Sequence, residues 1–219
     1  MKVIQQGAEA IITLVEKKEG SAVGNPGVLR LIIKDRIKKS YRIENIDIKL
    51  RKQRTKAEKK LLEKASQIIN APKPIERDWN YNTSYEIVMP YIEGKKLSEY
   101  LDKLPKKLAN QTCKKIGLSI AKLHDNNIMH GDLTTSNIIL DKNNEVWFID
   151  FGLGFHSERF EDRAVDLHLI KQALEAKHFK NFKDYWKNIE LGYKSSKHSS
   201  KTLDQLKKVE SRGRYKEKY

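Results

Sequence analysis

The sequence predicts an α+β protein with two lobes, a small β-rich first lobe that carries one long helix and a reduced helical second lobe. Two runs of branched residues, Ala10–Glu16 and Val28–Lys34, are typical of strands. Beyond Gly94, apolar residues recur every three or four positions, as in amphipathic helices. A ligand-binding cleft is expected where the lobes join. The predicted divisions are residues 1–92, residues 93–193 and a basic tail at 194–219.

The first lobe is predicted to hold its long helix between strands. A loop rich in Gly and Pro, EGSAVGNPG, separates the first two strands. The helix is predicted over Ile46–Ile69, and Pro72 and Pro74 stop it because the residue before a proline avoids the helical conformation. Further strand-like runs follow near Ile75–Arg77 and Tyr85–Tyr91. The apolar face of the helix is predicted to contain Leu50, Ala57, Leu61, Ala65 and Ile68.

The second lobe is predicted to be helical around one hairpin. Asn110 is a candidate cap for a helix that runs to about Asp125. Two short strands, Asn137–Leu140 and Glu145–Ile149, flank a Lys142-Asn143-Asn144 turn, which is a hairpin pattern. The remaining predicted helices are Ala164–Ala176, Phe182–Gly192 and one short helix within the tail.

The composition excludes several classes of protein. The single Cys113 excludes an internal disulfide framework and a Cys-based zinc site, and it fits a reducing compartment. No apolar run approaches the roughly 18 residues that span a bilayer. Charges at Glu9 and Glu16–Glu19 interrupt the apolar core that a signal peptide would need. We therefore expect a cytoplasmic protein with no membrane partner.

The positive charge is concentrated in two segments. The chain has 44 Lys and Arg residues against 29 Asp and Glu residues, a net charge of +15. Residues 34–64 contain 13 basic and 5 acidic residues, and residues 194–219 contain 9 basic and 3 acidic residues, so these segments carry +14 of the total. Such local fields favour an anionic partner, either nucleic acid or nucleotide phosphate. Solvated helix faces are the alternative interpretation.

Two motifs of the second lobe carry chemistry, HGDLTTSN at His130–Asn137 and IDFG at Ile149–Gly152. Asp132 and Asn137 lie on the loop before the hairpin, and Asp150 ends the second strand, so the hairpin would bring Asp150 beside Asn137. A carboxylate and an amide carbonyl can hold Mg²⁺ there, which leaves Asp132 to orient or deprotonate a hydroxyl group. This division of roles suits phosphoryl transfer.

Each motif also has a purely structural interpretation, with no catalytic role. A lone Asp-Phe-Gly is usually a turn, and a lone His-Gly-Asp can be part of any loop, but their combination around a hairpin favours the catalytic interpretation. His130 is expected to pack against the Asp150 region rather than to transfer a proton, because Asp132 already occupies the acceptor side. Surface or packing roles are expected for His124, His156, His168, His178 and His198, which lack metal-ligand spacing.

HGDLTTSN and IDFG resemble the catalytic core of the protein-kinase-like superfamily. Within it, the whole chain is similar to the small kinase/ATPase subunit of the KEOPS (EKC) complex, the archaeal and eukaryotic machinery for threonylcarbamoyl modification of tRNA. The supporting segments run from QGAEA at Gln6–Ala10 to VESRGR at Val209–Arg214, and the lack of a long extension resembles archaeal members. The resemblance implies an atypical serine/threonine protein kinase or ATPase that binds Mg-ATP between two lobes.

The resemblance implies roles for individual residues. Lys34 matches the strand lysine that contacts the α- and β-phosphates of ATP, and Glu58 matches the helix glutamate that pairs with it. Glu63 on the same helix is the competitor of Glu58. The adenine-side candidates are Met89 at the back of the pocket, the Pro90 carbonyl and the Ile92 amide. The candidate catalytic residues are Asp132, Lys34 and Asn137. The candidate metal ligands are Asn137 and Asp150, and Asp166 is expected to be a structural residue that braces the catalytic loop.

Several positions depart from the family pattern. The N-terminal loop has only Gly7 instead of three spaced glycines, and Glu9 either reaches toward ATP in the cleft or is a surface acid. Thr134 stands where serine/threonine kinases carry a phosphate-contacting lysine, and only 15 residues separate Asp150 from Asp166. The usual platform for a protein substrate is therefore missing. This fits a relative that hydrolyses ATP, or phosphorylates itself and few other proteins.

The resemblance implies three partners and leaves two other functions open. The large ATPase-fold catalytic subunit of KEOPS would contact the second lobe, a small KEOPS subunit the first lobe, and tRNA the basic surface and the tail. The tail candidates are Arg212, Arg214 and Lys216. One alternative is a small-molecule phosphotransferase of the aminoglycoside or choline type, although few residues follow Asp150 to build its acceptor pocket. The other is a non-catalytic kinase fold that clamps tRNA or a scaffold.

Overall fold

The computed structural model describes residues 1–7, 9–18, 28–76 and 84–212. The chain forms two compact units, the first comprising Met1–Lys64 and Pro72–Ile92 and the second Ala65–Ala71 and Glu93–Tyr219. A sheet with one long helix forms the first unit and helices dominate the second, so the predicted α+β class is confirmed. Within the described residues, no helix has both the length and the apolar character needed to cross a membrane.

The two units differ from the predicted divisions at two places. Residues 65–71, expected in the first lobe, belong to the second unit, where the Phe148 N–H donates to the Asn70 carbonyl at 2.9 Å. The expected tail is also part of the second unit as far as it is described, because its helix buries Thr202 and Leu206. Burial of these side chains makes residues 199–211 a packed element rather than a free tail.

The first unit is built on a four-stranded antiparallel sheet. The strands, in sheet order, are β1 (Lys2–Gln6), β2 (Ala10–Lys18), β3 (Val28–Arg36) and β4 (Glu86–Pro90), and α1 covers Glu44–Ala65. The sequence did not predict β1, whose side chains are all exposed and which therefore lacks the apolar alternation of a half-buried strand. In the register of the sheet, Lys34 of β3 lies opposite Ile12 and Ile87.

Helix α1 is shorter than predicted, and its buried face is more polar. It ends at Ala65 rather than Ile69, because the N–H groups of Ile68 and Ile69 both bond to the Ala65 carbonyl at 2.9 Å and close the last turn. Ala57, predicted on the apolar face, is exposed. The face that is buried carries polar side chains beside Leu61, Leu62 and Ala65, namely Asp47, Thr55 and Glu58. A pattern based on apolar residues cannot find a buried face of this kind.

Two expectations near the strands of the first unit have different outcomes. The run near Ile75–Arg77 is not a strand at its described positions, where the Ile75 N–H makes a bond of 2.8 Å to the Val88 carbonyl. Arg77 lies outside the described residues, and so does the EGSAVGNPG loop at 19–27. The strand predicted over Tyr85–Tyr91 is confirmed as β4.

The second unit contains five α-helices in its described part. They are α2 (Leu97–Tyr100), α3 (Lys106–Asp125), α4 (Phe160–Lys177), α5 (Phe182–Tyr193) and α6 (Ser199–Ser211). Helix α3 begins at Lys106 with Pro105 as its N-cap, and the Ala109 N–H donates to the Pro105 carbonyl at 2.9 Å. The prediction that Asn110 caps this helix was therefore wrong. Gly117 of α3 and Gly192 of α5 lie where a Cβ atom would collide with the opposite backbone, so the two helices pack at close range.

Short strands frame the loop between α3 and α4. Strands β5 (Gly94–Lys96), β7 (Ile138–Asp141) and β8 (Val146–Phe148) form one sheet in the order β5-β7-β8, and β6 (Ile128–Met129) pairs with β9 (Phe155–His156). The predicted hairpin is confirmed, with Asn144 at a positive φ of 59° in its turn. The Asp141 carboxylate accepts the N–H groups of Asn143 and Glu145 at 2.8 Å, which fixes that turn.

Candidate active site

Strand β3 and helix α1 bring Lys34, Arg36 and Glu58 together inside the first unit. The Lys34 Nζ lies 2.6 Å from Glu58 Oε1, and the Arg36 Nη2 lies 2.6 Å from Glu58 Oε2. All three are buried, with exposed fractions of 7 % for Lys34, 4 % for Arg36 and 2 % for Glu58. Each carboxylate oxygen therefore has its own cation. Glu58 thereby holds both cations of β3 in fixed positions.

The sequence predicted the pairing partner Glu58 but missed Arg36. Side chains two positions apart on a strand point to the same face, so Lys34 and Arg36 both project toward α1. That period-2 relation was the available signal. Glu63, the competing candidate, is half-buried and lies outside this cluster. Glu58 is therefore the partner of Lys34 because it lies on the face of α1 that packs toward β3.

Glu9, a predicted nucleotide contact, lies among arginines. Its Oε2 accepts a bond of 2.8 Å from Arg54 and lies 3.8 Å from Arg36, and its Oε1 lies 3.8 Å from Arg42. The neighbouring Gly7 donates its N–H to the Ala10 carbonyl at 3.0 Å. A Cβ atom on Gly7 would meet that carbonyl at an ordinary 3.7 Å, so no crowding requires glycine there.

A second buried acid steadies the start of α1. Asp47 is fully buried, accepts a bond of 2.7 Å from Arg51 and lies 3.6 Å from Arg42. Burial raises the pKa of Asp47, but the hydrogen bonds from Arg51 and the Lys39 N–H, together with the charges of Arg51 and Arg42, outweigh this effect and hold the pKa below its usual value. Arg51 in turn stacks over the Tyr85 ring at 3.9 Å. The sequence analysis missed this group, although Asp47 and Arg51 have the four-residue spacing of a helical ion pair.

The three adenine-side candidates follow one another at the end of β4. Met89 is buried opposite Ile32, and Pro90 lies opposite Leu31 in the sheet register. The Tyr91 N–H donates to the Arg30 carbonyl at 3.0 Å, which continues the pairing one residue past the strand. Ile92 is the last residue of the first unit. Their contacts with adenine remain a prediction.

In the second unit, Asp166 of α4 holds the backbone of the HGD motif. Its Oδ2 accepts the His130 N–H at 2.7 Å, and its Oδ1 accepts the Gly131 N–H at 2.9 Å. The His124 Nε2 lies 3.2 Å from the same Oδ2. Burial raises the pKa of Asp166, but the hydrogen bonds that its carboxylate accepts from the His124 side chain and the His130 N–H outweigh this effect and hold the pKa below its usual value. Asp166 therefore remains an anion and fixes the loop.

Gly131 is required by the shape of this loop. Its φ of 77° lies in the left-handed region that favours glycine. A Cβ atom there would also collide with the Leu153 carbonyl. Both constraints follow from the close approach of the HGD loop to the segment that follows Asp150.

His130 is placed as a packing residue. Its Nε2 lies 3.1 Å from the Ile149 carbonyl, which can only accept, so Nε2 carries the proton. Its Nδ1 accepts the Asp132 N–H at 3.3 Å, and its ring centroid lies 4.5 Å from that of Phe151. Burial lowers the pKa of His130. A neutral ring with both nitrogens engaged orders the loop and has no proton to exchange with a substrate.

Asp132 and Asn137 are joined directly. The Asn137 Nδ2 donates to both the backbone carbonyl and the Oδ2 of Asp132 at 2.9 Å. Asn137 ends a short 3-10 turn, Thr135–Asn137, in which its N–H donates to the Thr134 carbonyl at 3.1 Å. The Asp132 carboxylate is half-exposed and held in one orientation by a neutral amide. It thus remains available to a hydroxyl group.

Asp150 is brought next to Asn137 by the hairpin. The Ile149 N–H donates to the Asn137 carbonyl at 2.9 Å, and Asp150 itself has a positive φ of 64° and is exposed. The Gly152 N–H donates to Asp150 Oδ1 at 3.2 Å. A left-handed conformation is uncommon for a non-glycine residue and is found most often in turns and at functional sites.

The oxygen atoms of this pair fit Mg²⁺. The bonds from Asn137 to Asp132 use the amide nitrogen, which leaves the amide oxygen, the atom that binds a cation, outside those bonds. Mg²⁺ is held by one or two carboxylate or carbonyl oxygens together with phosphates and water. Across the described ranges, no cluster of three or more His, Cys, Asp and Glu side chains could hold a metal ion.

The tail candidates are divided between a fixed residue and two that are not described. Arg212 forms an ion pair of 2.5 Å with Glu161 of α4, and Lys171 of α4 pairs with Glu210 at 2.6 Å. Arg212 is therefore bound along α4 rather than extended away from it. Arg214 and Lys216 lie outside the described residues.

Comparisons with known proteins give relatives over the whole chain. A family model described as "Protein kinase domain" matches residues 23–173. The chain is 42 % identical over 222 residues to "KEOPS complex subunit Bud32" of Pyrococcus abyssi, covering 100 % of this chain and 98 % of the relative. It is 41 % identical over 216 residues to "Probable bifunctional tRNA threonylcarbamoyladenosine biosynthesis protein" of Methanobrevibacter smithii. A protein of the same description from Methanocaldococcus jannaschii is 39 % identical over 187 residues.

These relatives differ in length. The match covers 97 % of this chain but 36 % of the Methanobrevibacter protein, and 84 % of this chain but 33 % of the Methanocaldococcus protein. The chain therefore spans about a third of the bifunctional relatives and nearly all of the Pyrococcus subunit. The chain belongs to the protein kinase family and, within it, to the Bud32 group of KEOPS complex subunits.

Proposed function

We propose that the chain binds Mg-ATP and transfers or hydrolyses its γ-phosphoryl group as a KEOPS subunit in the biosynthesis of threonylcarbamoyladenosine in tRNA. The observation that carries the proposal is the joined loop, in which the Asn137 amide holds the Asp132 carboxylate while the Asn137 carbonyl fixes the strand before Asp150. An oriented acceptor-side carboxylate beside a metal-binding pair is the minimum that phosphoryl transfer needs.

Bound Mg²⁺, held by Asn137 and Asp150, would neutralise charge on the phosphates. Lys34 contacts the α- and β-phosphates, and Glu58 keeps its ammonium group in place while Arg36 holds the other carboxylate oxygen. Asp132 orients the attacking hydroxyl group and accepts its proton. His130 and Asp166 keep the backbone of this loop fixed.

We favour water as the usual acceptor. The segment after Asp150 is short, and its Phe155–His156 strand is already paired with Ile128–Met129. Ser157 at its end donates to Asp162 at 2.5 Å, and its own N–H donates to the Asn127 carbonyl at 3.0 Å. The backbone of this segment is already used in hydrogen bonds within the second unit, so it is not available to pair with an extended protein substrate. Serine/threonine phosphorylation of a few targets, including the chain itself, is the second outcome.

The test measures ATP turnover by the full chain, alone and with the large KEOPS subunit. Asp150→Ala and Asp132→Asn are each expected to reduce kcat at least about a hundredfold. Glu158→Gln, an exposed acid of the same segment, is the matched control and should stay within about twofold of the unmodified chain. Unchanged turnover in Asp150→Ala would reject the catalytic role. Turnover that depends on an added hydroxylated small molecule would support the small-molecule phosphotransferase, and failure of Mg-ATP to raise Tm would support the non-catalytic clamp.

For RNA, we propose the exposed face of α1 as the contact. This lysine face consists of Lys49, Lys52, Lys56 and Lys60, all exposed and none ion-paired with another described residue. At 3.6 residues per turn, steps of three and four residues keep them within about 80° of arc over about 16 Å of helix. The acid within that stretch, Glu58, points inward to Lys34 and Arg36. A row of lysines suits a phosphate backbone, which is recognised by charge.

The RNA contact is tested by the salt dependence of tRNA binding. Replacing the lysine face by glutamine is expected to lower the slope of log K against log salt by about 3, because each phosphate contact contributes roughly 0.7 to 0.9. The matched control replaces four exposed lysines that already have acidic partners, Lys38, Lys106, Lys194 and Lys207. Equal slopes in both variants would reject the lysine face. The contribution of the tail is measured by truncation after Arg212, because a truncation that removed α6 would also remove the buried Leu206 and uncover the face of α4 against which α6 packs.

The remaining partner assignments are proposals on the same basis. The large ATPase-fold subunit of KEOPS is assigned to the second unit, and the small KEOPS subunit to the first. The exposed apolar residues Leu153 and Phe155, beside the DFG motif, support a protein contact on the second unit. Loss of co-purification with the large subunit in Phe155→Ser, with retained Tm, would test that contact.

A further inference from the structure

A polar cluster of the second unit is buried at His178 and Thr135 and reaches the surface at Asp102 and Asn181. His178, the C-cap of α4, has its Nδ1 2.5 Å from Asp102 Oδ2 and its Nε2 3.3 Å from Thr135 Oγ1. His178 and Thr135 are each 2 % exposed. Asn181 and Tyr185 complete the cluster by donating to Asp102 Oδ1 at 3.0 Å and 3.1 Å. The cluster thus joins Asp102, the turn between α4 and α5, and the loop that carries Asp132.

The protons of this cluster can be assigned from its partners. Burial raises the pKa of Asp102, but the hydrogen bonds from Asn181 and His178 outweigh it and hold the pKa below its usual value. The Asp102 carboxylate is therefore an acceptor, and the His178 Nδ1 must carry a proton. In the neutral ring, Nε2 then accepts the Thr135 hydroxyl proton, and in the charged ring Nε2 donates to the hydroxyl oxygen. In both states, a chain of hydrogen bonds links Asp102 through His178 to Thr135.

Thr135 connects this chain of hydrogen bonds to the candidate catalytic residues Asn137 and Asp132. It is the first residue of the 3-10 turn Thr135–Asn137. In this turn, the Asn137 N–H donates to the Thr134 carbonyl at 3.1 Å. The Asn137 side chain then donates to Asp132. Because the Thr135 side chain is buried, its hydroxyl group cannot reach a substrate. Its effect on the reaction can only be exerted through the position of the turn.

Backbone hydrogen bonds fix the position of His178 in this chain of hydrogen bonds. The His178 N–H donates to the Leu174 carbonyl at 2.8 Å, and the Asn181 N–H donates to the His178 carbonyl at 3.0 Å. A ring held at its backbone and at Nδ1 has little freedom to move. The Nε2 atom is therefore a fixed point against which Thr135 is held.

We propose that His178 is a positioning residue for phosphoryl transfer, which acts through the Thr135 hydroxyl group to set the turn that presents Asn137 to Asp132. The inference rests on the proposed function for its catalytic consequence. Its structural part, the control of the turn by His178 and Thr135, stands independently. Neither residue contacts the reacting atoms.

The experiment compares Thr135→Val with Thr135→Ser in the full chain. Valine keeps the shape of threonine without the hydroxyl group, whereas serine keeps the hydroxyl group. Thr135→Val is expected to lower kcat for ATP turnover about tenfold, with KM for ATP within about twofold, since a displaced catalytic group affects the reaction more than nucleotide binding. Thr135→Ser is expected to retain turnover. Equal losses in the two variants, or no loss in Thr135→Val, would overturn the inference.

Amide hydrogen exchange gives a readout that does not need activity. The N–H groups of Asn137 and Ile149 are both bonded within this loop, and they should exchange faster in Thr135→Val but not in Thr135→Ser. If the unmodified chain hydrolyses no ATP, the proposed function fails, and exchange alone decides whether the turn is controlled as inferred. Unchanged exchange in Thr135→Val would overturn it.

A second pair of variants covers the case in which Thr135→Val does not fold. His178→Gln can keep a polar atom near Thr135 but loses the Asp102 contact, and His178→Asn can keep the Asp102 contact but loses Thr135. Faster exchange at Asn137 in His178→Asn than in His178→Gln supports the inference. The reverse order contradicts it, as does equal exchange, because the contact to Thr135 would then have no effect of its own.

Discussion

Removal of the Glu58 carboxylate should destabilise the first unit strongly. Glu58→Ala leaves the ammonium of Lys34 and the guanidinium of Arg36 without the acid that each contacts at 2.6 Å. Both cations are at least nine-tenths buried, so solvent offers little compensation. Breaking a buried ion pair from one side costs about 3–5 kcal/mol. At 2–4 °C per kcal/mol for a chain of this size, Tm should fall by roughly 6–20 °C.

The assay is thermal unfolding monitored by circular dichroism, with Glu63→Ala as the matched control. Glu63 is on the same helix but only half-buried, so its replacement should change stability by about 1 kcal/mol or less. A double-mutant cycle with Lys34→Met should give a coupling energy of about 1 kcal/mol or more. Tm shifts of the same size in Glu58→Ala and Glu63→Ala would refute the assignment of Glu58 as the buried partner.

Three further predictions concern the loop, the N-terminal turn and α6. The folded-state pKa of Asp166 is lowered, so its contribution to stability is present above the unfolded pKa of about 3.9 and is lost as pH falls through the folded value. Asp166→Asn should therefore flatten the decline of stability below about pH 4, measured by denaturant unfolding. Gly131→Ala should reduce kcat at least about tenfold because of its positive φ and the adjacent carbonyl, whereas Gly7→Ala should leave KM for ATP within about twofold because a methyl group fits there. Equal kinetics in these two glycine variants would contradict the reasoning. Arg212→Gln, which breaks an exposed pair with Glu161, should cost about 1 kcal/mol or less, and a larger loss in urea unfolding would show that α6 depends on that pair.

Sequence patterns predicted the elements that obey a simple period. Strands β2, β3 and β4 follow branched residues, and the hairpin from Asn137 follows its Asn-rich turn. Patterns failed where polar groups are buried or caps are unusual. Helix α1 turns Asp47, Thr55 and Glu58 inward, and α3 begins after Pro105 rather than at Asn110. These choices depend on partners on distant segments.

The candidate site shows the same division. Asp132, Asn137 and Asp150 were predicted from two motifs, because the chemistry of phosphate and metal sets their residue types and spacing, whereas Lys34 was predicted from the resemblance to the kinase family. Arg36 was missed because its role depends on sharing Glu58 with Lys34 across 22 and 24 residues of sequence. His178 was expected to serve a packing role, but its line to Thr135 spans 43 residues and follows no local pattern.

The sequence by itself determined the chemistry of this protein: the motif residues, the sheet-and-helix class and the excess of positive charge. The tertiary structure decided how these charges are used. It turned Glu58 inward to two cations, left the lysine face of α1 outward, and paired Arg212 with Glu161 on α4. The physical reason is that residue type and short spacing are local properties of the chain. The partner that neutralises a buried charge or positions a loop is chosen only when distant segments meet.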